Sequence, residues 1–164
     1  MKRFALTATT VALLGALSAA GEEPMKIPAA ADHGMIAPAE IEWVAGPASL
    51  PSGARMAVLE GDPSKEGIFT MRLSVPAGFK ISPHWHAAFE HVTVISGGFG
   101  LGAGDTFDKS KGRVLPAGGF AYMAPGMRHF AWTDSETVLQ LHGMGPWQIY
   151  YVNPADDPRQ TKKN

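Results

Sequence analysis

Glycine and proline interrupt this chain so often that short strands joined by turns are the structure its sequence allows. There are 19 Gly and 13 Pro in 164 residues. Proline removes a backbone donor and fixes φ, whereas glycine opens conformations that other residues avoid, so their clusters mark turns. Such clusters stand at Gly61-Asp62-Pro63, Pro76-Ala77-Gly78, Gly97-Gly98, Pro116-Ala117-Gly118-Gly119 and Pro125-Gly126, with Asp134-Ser135-Glu136 as a further polar break. Between them the pattern is that of strands. Phe69, Met71, Leu73 and Val75 alternate with Thr70, Arg72 and Ser74, which is the period of a half-buried strand. Residues 92–95, 113–115, 120–123, 130–133, 138–142 and 147–152 read as further strands. The spacing predicts an all-β sandwich or barrel. With 45% hydrophobic and 18% charged residues, the chain has the composition of one folded domain.

The two ends differ from this body. Lys2 and Arg3 precede an apolar run over residues 4–17, and Ser18-Ala19-Ala20 supplies small residues for cleavage. This is the pattern of a secretory signal peptide over residues 1–20, and the run is short for a bilayer span. No cysteine follows for a lipid anchor, so the expectation is a periplasmic or secreted protein with no membrane anchor after cleavage. Residues 21–38 read as a flexible tether, 39–153 as the barrel and 154–164 as a polar C-terminal tail. The formal charge is -1 with no Lys/Arg cluster, so a nucleic-acid partner has no electrostatic basis.

The chemistry is concentrated in a few histidines. With no cysteine in the chain, thiolate catalysis is excluded, and a metal site must use N and O donors. His84, His86 and Glu90 fall within seven residues. Alternate side chains of a strand share a face, so His84 and His86 point the same way, and Glu90 joins them if the strand continues without a bulge. His129 follows the Pro125-Gly126 turn and completes a candidate set. An isolated His-x-His is weak as a ligand signal.

The flanking spacing adds to it. Gly78, His84, His86, Glu90 and Gly97 match every element of the first motif of the cupin superfamily, G-x5-H-x-H-x3-E-x6-G. The second motif, G-x5-P-x-G-x2-H-x3-N, fits at Gly126 and His129, but Ala124 stands in place of its Pro and Thr133 in place of its Asn. The chain therefore resembles the cupins, in particular single-domain exported bacterial cupins with an RmlC-like jelly roll. The resemblance implies a double-stranded β-helix, a barrel of two facing antiparallel sheets. It also implies one divalent transition metal ion held by His84, His86, Glu90 and His129. A mixed N and O set suits Fe, Mn, Ni, Cu, Co or Zn.

Cupins include enzymes, isomerases, storage proteins and regulators. The function implied here is a metal-dependent, dioxygenase-like enzyme acting on a small organic molecule, with Glu90 as the catalytic residue able to serve as general base. The alternatives are a periplasmic module that binds or senses a small ligand or metal without turnover, and a metal-dependent isomerase or lyase. Four residues are candidates for the substrate pocket. Gln140 and His142 share a face opposite Leu139 and Leu141, and read equally as pocket wall or solvent face. Tyr122 alternates with Met123, and one of them faces the barrel. Arg72 is a candidate contact for an anionic substrate, with an exposed strand arginine as the competing reading. His91, next to Glu90, is expected on the opposite face and not as a ligand. Cupins commonly pair through their sheets, so the resemblance also implies a homodimer. Residues 147–152 or 41–43 would supply its contact, or would complete the monomer core.

Overall fold

The computed structural model describes residues 33–160. Eleven strands follow in order: β1 (Val44–Ala45), β2 (Arg55–Glu60), β3 (Gly67–Val75), β4 (Lys80–Trp85), β5 (Glu90–Ser96), β6 (Gly98–Ala103), β7 (Gly112–Pro116), β8 (Phe120–Met123), β9 (His129–Trp132), β10 (Thr137–Gly145) and β11 (Tyr150–Tyr151). Three single 3-10 turns accompany them, and the described residues contain no α-helix. The strands form a six-stranded sheet, β1-β2-β3-β10-β5-β8, and a five-stranded sheet, β11-β4-β9-β6-β7. All pairings are antiparallel. From β3 onward the chain crosses from one sheet to the other at nearly every turn, which closes the two into a double-stranded β-helix.

Alternation explains the core. On β3 the inward residues Phe69, Met71, Leu73 and Val75 are buried, as the period-2 pattern predicts. They meet Val92 and Val94 of β5, Leu139 and Leu141 of β10, and Phe79 and Ile81 across the barrel in one continuous cluster. The final strand region belongs to that cluster: Ile149 and Tyr151 are buried, and Trp147 packs against them. The Tyr151 hydroxyl donates to Ser49 O at 2.8 Å. Arg159 then grips the Asp157 carboxylate and also donates to Ile149 O at 3.3 Å, holding the last described turn against β11. Of the two readings of residues 147–152, completion of the monomer core is the one the structure realises.

The outer faces of the two sheets are finished differently. On the five-stranded sheet, Phe130 and Trp132 point outward yet are buried. Their rings lie across glycines: a Cβ at Gly100 or Gly112 would collide with the Trp132 ring. Phe107, from the β6–β7 loop, covers them at 5.0 Å from Phe130 and 6.1 Å from Trp132. The Lys80 ammonium sits 4.1 Å over Phe107 in turn. Among the described residues the six-stranded sheet has no such cover, and Ile68, Phe120, Tyr122 and Met144 stand exposed on it.

Candidate metal centre

His84 reaches the barrel interior through a bulge. Ile81 pairs with Ala131 and His84 with His129, so β4 spends three residues where β9 spends two. Without that extra residue, alternation from the buried Ile81 would turn His84 outward. Ser82-Pro83 absorbs it, and Pro83 has no ladder donor to lose. The same bulge supplies Ser82 O, which accepts from His84 Nδ1 at 2.8 Å.

His86 follows two residues later, as alternation predicts. Its Nδ1 meets Gln148 O at 2.7 Å, and its ring stacks on Trp147 at 4.2 Å and 15°. The strand does not continue to Glu90. The chain turns over residues 87–89, and Glu90 opens β5 in the facing sheet. It therefore approaches the histidines from across the barrel, not along their strand. His129 opens β9 directly after the turn Ala124-Pro125-Gly126-Met127. There Met127 N donates to Ala124 O at 3.0 Å, and Gly126 takes φ of 76°. Proline second and glycine third is what a type II turn requires, so Pro125 is placed well one position from where the motif has it. Met127 O accepts from His129 Nδ1 at 3.0 Å.

A carbonyl oxygen only accepts, so each of these three contacts places the ring proton on Nδ1 and leaves an Nε2 lone pair. All four residues are buried, from 1% exposed at His129 to 7% at Glu90. Their four donor atoms lie within 4.8 Å of one another. Glu90 Oε2 is 3.2 Å from His129 Nε2 and 3.3 Å from His86 Nε2. A lone pair facing a carboxylate oxygen is repulsive, and His86 Nε2 and Glu90 Oε2 have no hydrogen-bond partner. Burial, reinforced by His129 and His86, pushes the His84 pKa down to about 3, so its ring is neutral. Burial opposes ionisation of Glu90, whereas positive charge at the His129 and His86 nitrogens that face it holds the carboxyl below the usual range. Three imidazoles and a carboxylate converging this closely fit a divalent cation. Donors around one ion at about 2.1 Å lie within roughly 4.2 Å of each other, so the widest spacing here, up to 4.8 Å, would close by about half an ångström around an ion.

Residues 31–148 match the family model of the ChrR cupin-like domain. The chain belongs to that cupin family. A search of the curated proteins finds no match to this cupin. Among solved structures it is similar to a proposed acetylacetone dioxygenase from Methylibium petroleiphilum, at TM-score 0.59 and 19% identity over 81% of this chain and 90% of that one. It is similar to the polyketide cyclase RemF from Streptomyces resistomycificus, at TM-score 0.62 and 14% identity over 80% and 94%. An RmlC-like cupin from Ralstonia eutropha gives TM-score 0.58 and 18% identity over 77% and 76%. At these identities the likeness establishes the fold.

The four side chains expected to line the cupin's pocket lie elsewhere. Arg72, Gln140, His142 and Tyr122 all project from the outer face of the six-stranded sheet, opposite the buried Met71, Leu139, Leu141 and Met123. Arg72 Nε donates to Gln140 Oε1 at 3.1 Å, and His142 stacks on His91 at 4.8 Å and 7°. Alternation correctly grouped them and left open which group faced inward; Met123, not Tyr122, is the inward member of its pair. His91 is outward, as expected. The residues that sequence reading missed are those acting on the histidines from outside the motif. Trp147 is one. Ser82, Met127 and Gln148 act through backbone carbonyls, which leave no mark in side-chain identity. Thr133, where the motif has Asn, is buried and donates to Pro76 O at 2.7 Å, securing the turn before β4.

Proposed function

We propose that this cupin holds one divalent transition metal ion through His84, His86, Glu90 and His129 and acts as an oxygenase-like enzyme on a small organic molecule. The observation that carries the reading is the pinning of all three imidazoles: each Nδ1 is held by a backbone carbonyl, so each Nε2 is presented to the same point as Glu90. This is the outer-contact arrangement that fixes ring orientation and tautomer in metal-binding histidines. When bound, the ion supplies Lewis acidity and, for Fe, Mn, Ni, Cu or Co, redox chemistry. Glu90 is the ionised member and the group able to take a proton from a substrate carbon or hydroxyl.

The rest of the barrel restricts what such a molecule can be. Thr133, Thr137 and Asp157, the other buried polar residues described, are each tied to a local partner. Every described Lys and Arg is outside the buried set. A substrate's polar atoms would thus find their partners only at the cluster, while apolar walls exclude water. Small dicarbonyl compounds are the first class to test, the neighbours named for acetylacetone oxygenation and polyketide cyclisation suggesting them. The reading also includes export, supported by the residue 1–20 pattern, which lies outside the described residues. The intact mass of protein from a periplasmic fraction tests that part.

The test of the site has two stages. Elemental analysis should find about one equivalent of metal in the wild type and little in His84→Ala. Equal, low contents in both would end the metal reading. Oxygen uptake is then followed with each ion loaded, across β-diketones, flavonoids and thiols. Background rates throughout would favour the second reading, a binding or sensing module, for which the near-complete burial of all four donors speaks. A native Zn site would point instead to isomerase or lyase chemistry.

A further inference from the structure

Strand register sets one more potential donor beside the four-residue cluster. Met123 lies directly opposite Glu90 in the β5–β8 pairing, and both are buried on the inner face of the sheet. Residues opposed in this way have Cβ atoms about 4.5–5.5 Å apart. Met123 Sδ is two bonds beyond its Cβ, whereas Glu90 Oε2 is three beyond its own, so the sulfur has the reach to meet an ion that Glu90 holds. The chain after Met123 is tied to the other ligands. Gly126 N, in the turn that follows, donates to His86 O at 2.8 Å, and that turn leads directly into His129. The same inward row continues through Gly143, one step beyond the His142–His91 pair, to Phe69, and neither of these side chains offers a donor atom. Met71 stands one row deeper, opposite Leu141.

We infer that Met123 is a further ligand of this centre and that its thioether makes copper the ion the site takes. The inference rests on the metal reading of the cluster and narrows it. Imidazoles and a carboxylate admit several ions, and among divalent ones Cu(II) binds such donors most tightly. A thioether is a soft donor that suits Cu(I). The five side chains together therefore hold copper in either oxidation state. The unbranched methionine side chain can adjust its sulfur to each state without moving β8.

Charge points the same way. Bound through Nε2 with the proton on Nδ1, the three imidazoles are neutral, and so is a thioether. Glu90 then carries the one negative charge of the set. Cu(I) makes this buried centre electrically neutral, while a divalent ion leaves one positive charge among apolar walls. A set of nitrogen and oxygen donors alone would give up copper when it is reduced. With Met123 in place the centre keeps it.

Copper-edge X-ray absorption of the copper-loaded protein reads the contact directly. The chain has no cysteine, so a protein sulfur in copper's shell can only be that of a methionine. One sulfur is expected, replaced by one selenium in protein made with selenomethionine. Met123→Leu conserves volume, so the metal-free protein should melt within a few degrees of wild type. It should lose the sulfur signal and bind Cu(I) about tenfold or more weakly, in anaerobic competition with a colorimetric chelator, while Zn(II) affinity stays as in wild type. Met71→Leu, a similarly buried methionine, should keep both the signal and the affinity. If Met123→Leu does not fold, Met71→Leu and Met127→Leu should each retain the sulfur, and its loss in either overturns the inference. Copper bound without sulfur or selenium, or equal Cu(I) affinity in wild type and Met123→Leu, also overturns it and leaves the metal reading standing. A protein that takes up neither copper nor any other ion ends both.

Discussion

Two groups of histidines sit back to back on this barrel, and they differ in how their rings are held. Inside, His84, His86 and His129 each give Nδ1 to a backbone carbonyl, and their remaining nitrogens converge beside Glu90. Outside, His91 and His142 face each other in a parallel stack, and His91 Nδ1 has no hydrogen-bond partner. Glu90 and His91 are sequence neighbours, yet one belongs to each group. The difference shows that nearness of histidines does not make a ligand set. What makes one is a fixed tautomer with the free lone pair aimed at a shared point. A stack aims its lone pairs within parallel ring planes, side by side and not toward each other.

The contrast can be broken at its strongest point first. Glu90→Gln removes the only negative charge of the inner group, and metal affinity by titration calorimetry should fall by more than roughly a hundredfold, beyond the range of outer-contact changes. Retained affinity would mean that the imidazoles alone bind. Chelation comes next. If the inner group holds metal at a thousandfold over its dissociation constant, removal costs about 4 kcal/mol, and a chain of this size should melt on the order of 10 °C lower in a thermal scan. Glu90→Gln should show no such difference between treated and untreated samples. Trp147→Ala, which uncovers His86, should weaken binding by about 10–100-fold, while Trp147→Phe keeps the stack and most of the affinity. The smallest effect belongs to the outer group: His91→Ala/His142→Ala should leave metal content equal to wild type by elemental analysis. A loss there would erase the distinction between the two groups.

The sequence carried much of this arrangement. Alternation over residues 68–75 predicted the inward set of β3, and motif spacing singled out the four residues that the fold brings together. What it could not carry was direction. Alternation says that Gln140 and His142 share a face but is symmetric as to which face is buried. Both went outward because Leu139 and Leu141 took the core. It also assumes unbroken strands. The bulge at Ser82-Pro83 turns His84 inward, and the turn at 87–89 moves Glu90 into the other sheet. The ligand positions fit the motif because the motif records the net result of those irregularities, whereas strand periodicity alone assumes they are absent. The backbone carbonyls that hold the rings come from non-adjacent loops, and only the folded register supplies them.

The stack of Trp147 on His86 gives the molecule a built-in optical gauge. An indole lying flat at 4.2 Å on one of the cluster's imidazoles shares electronic contact with whatever that ring binds. An open-shell ion at the centre would drain its excited state, whereas a closed-shell ion would leave it bright. Of the other three tryptophans, Trp85 stacks on Tyr150, Trp132 is capped by Phe107, and Trp43 lies under Arg55, so each has its own unrelated surroundings. The emission lost in Trp147→Phe would thus report, in a metal titration, whether an ion occupies the site and of which kind it is.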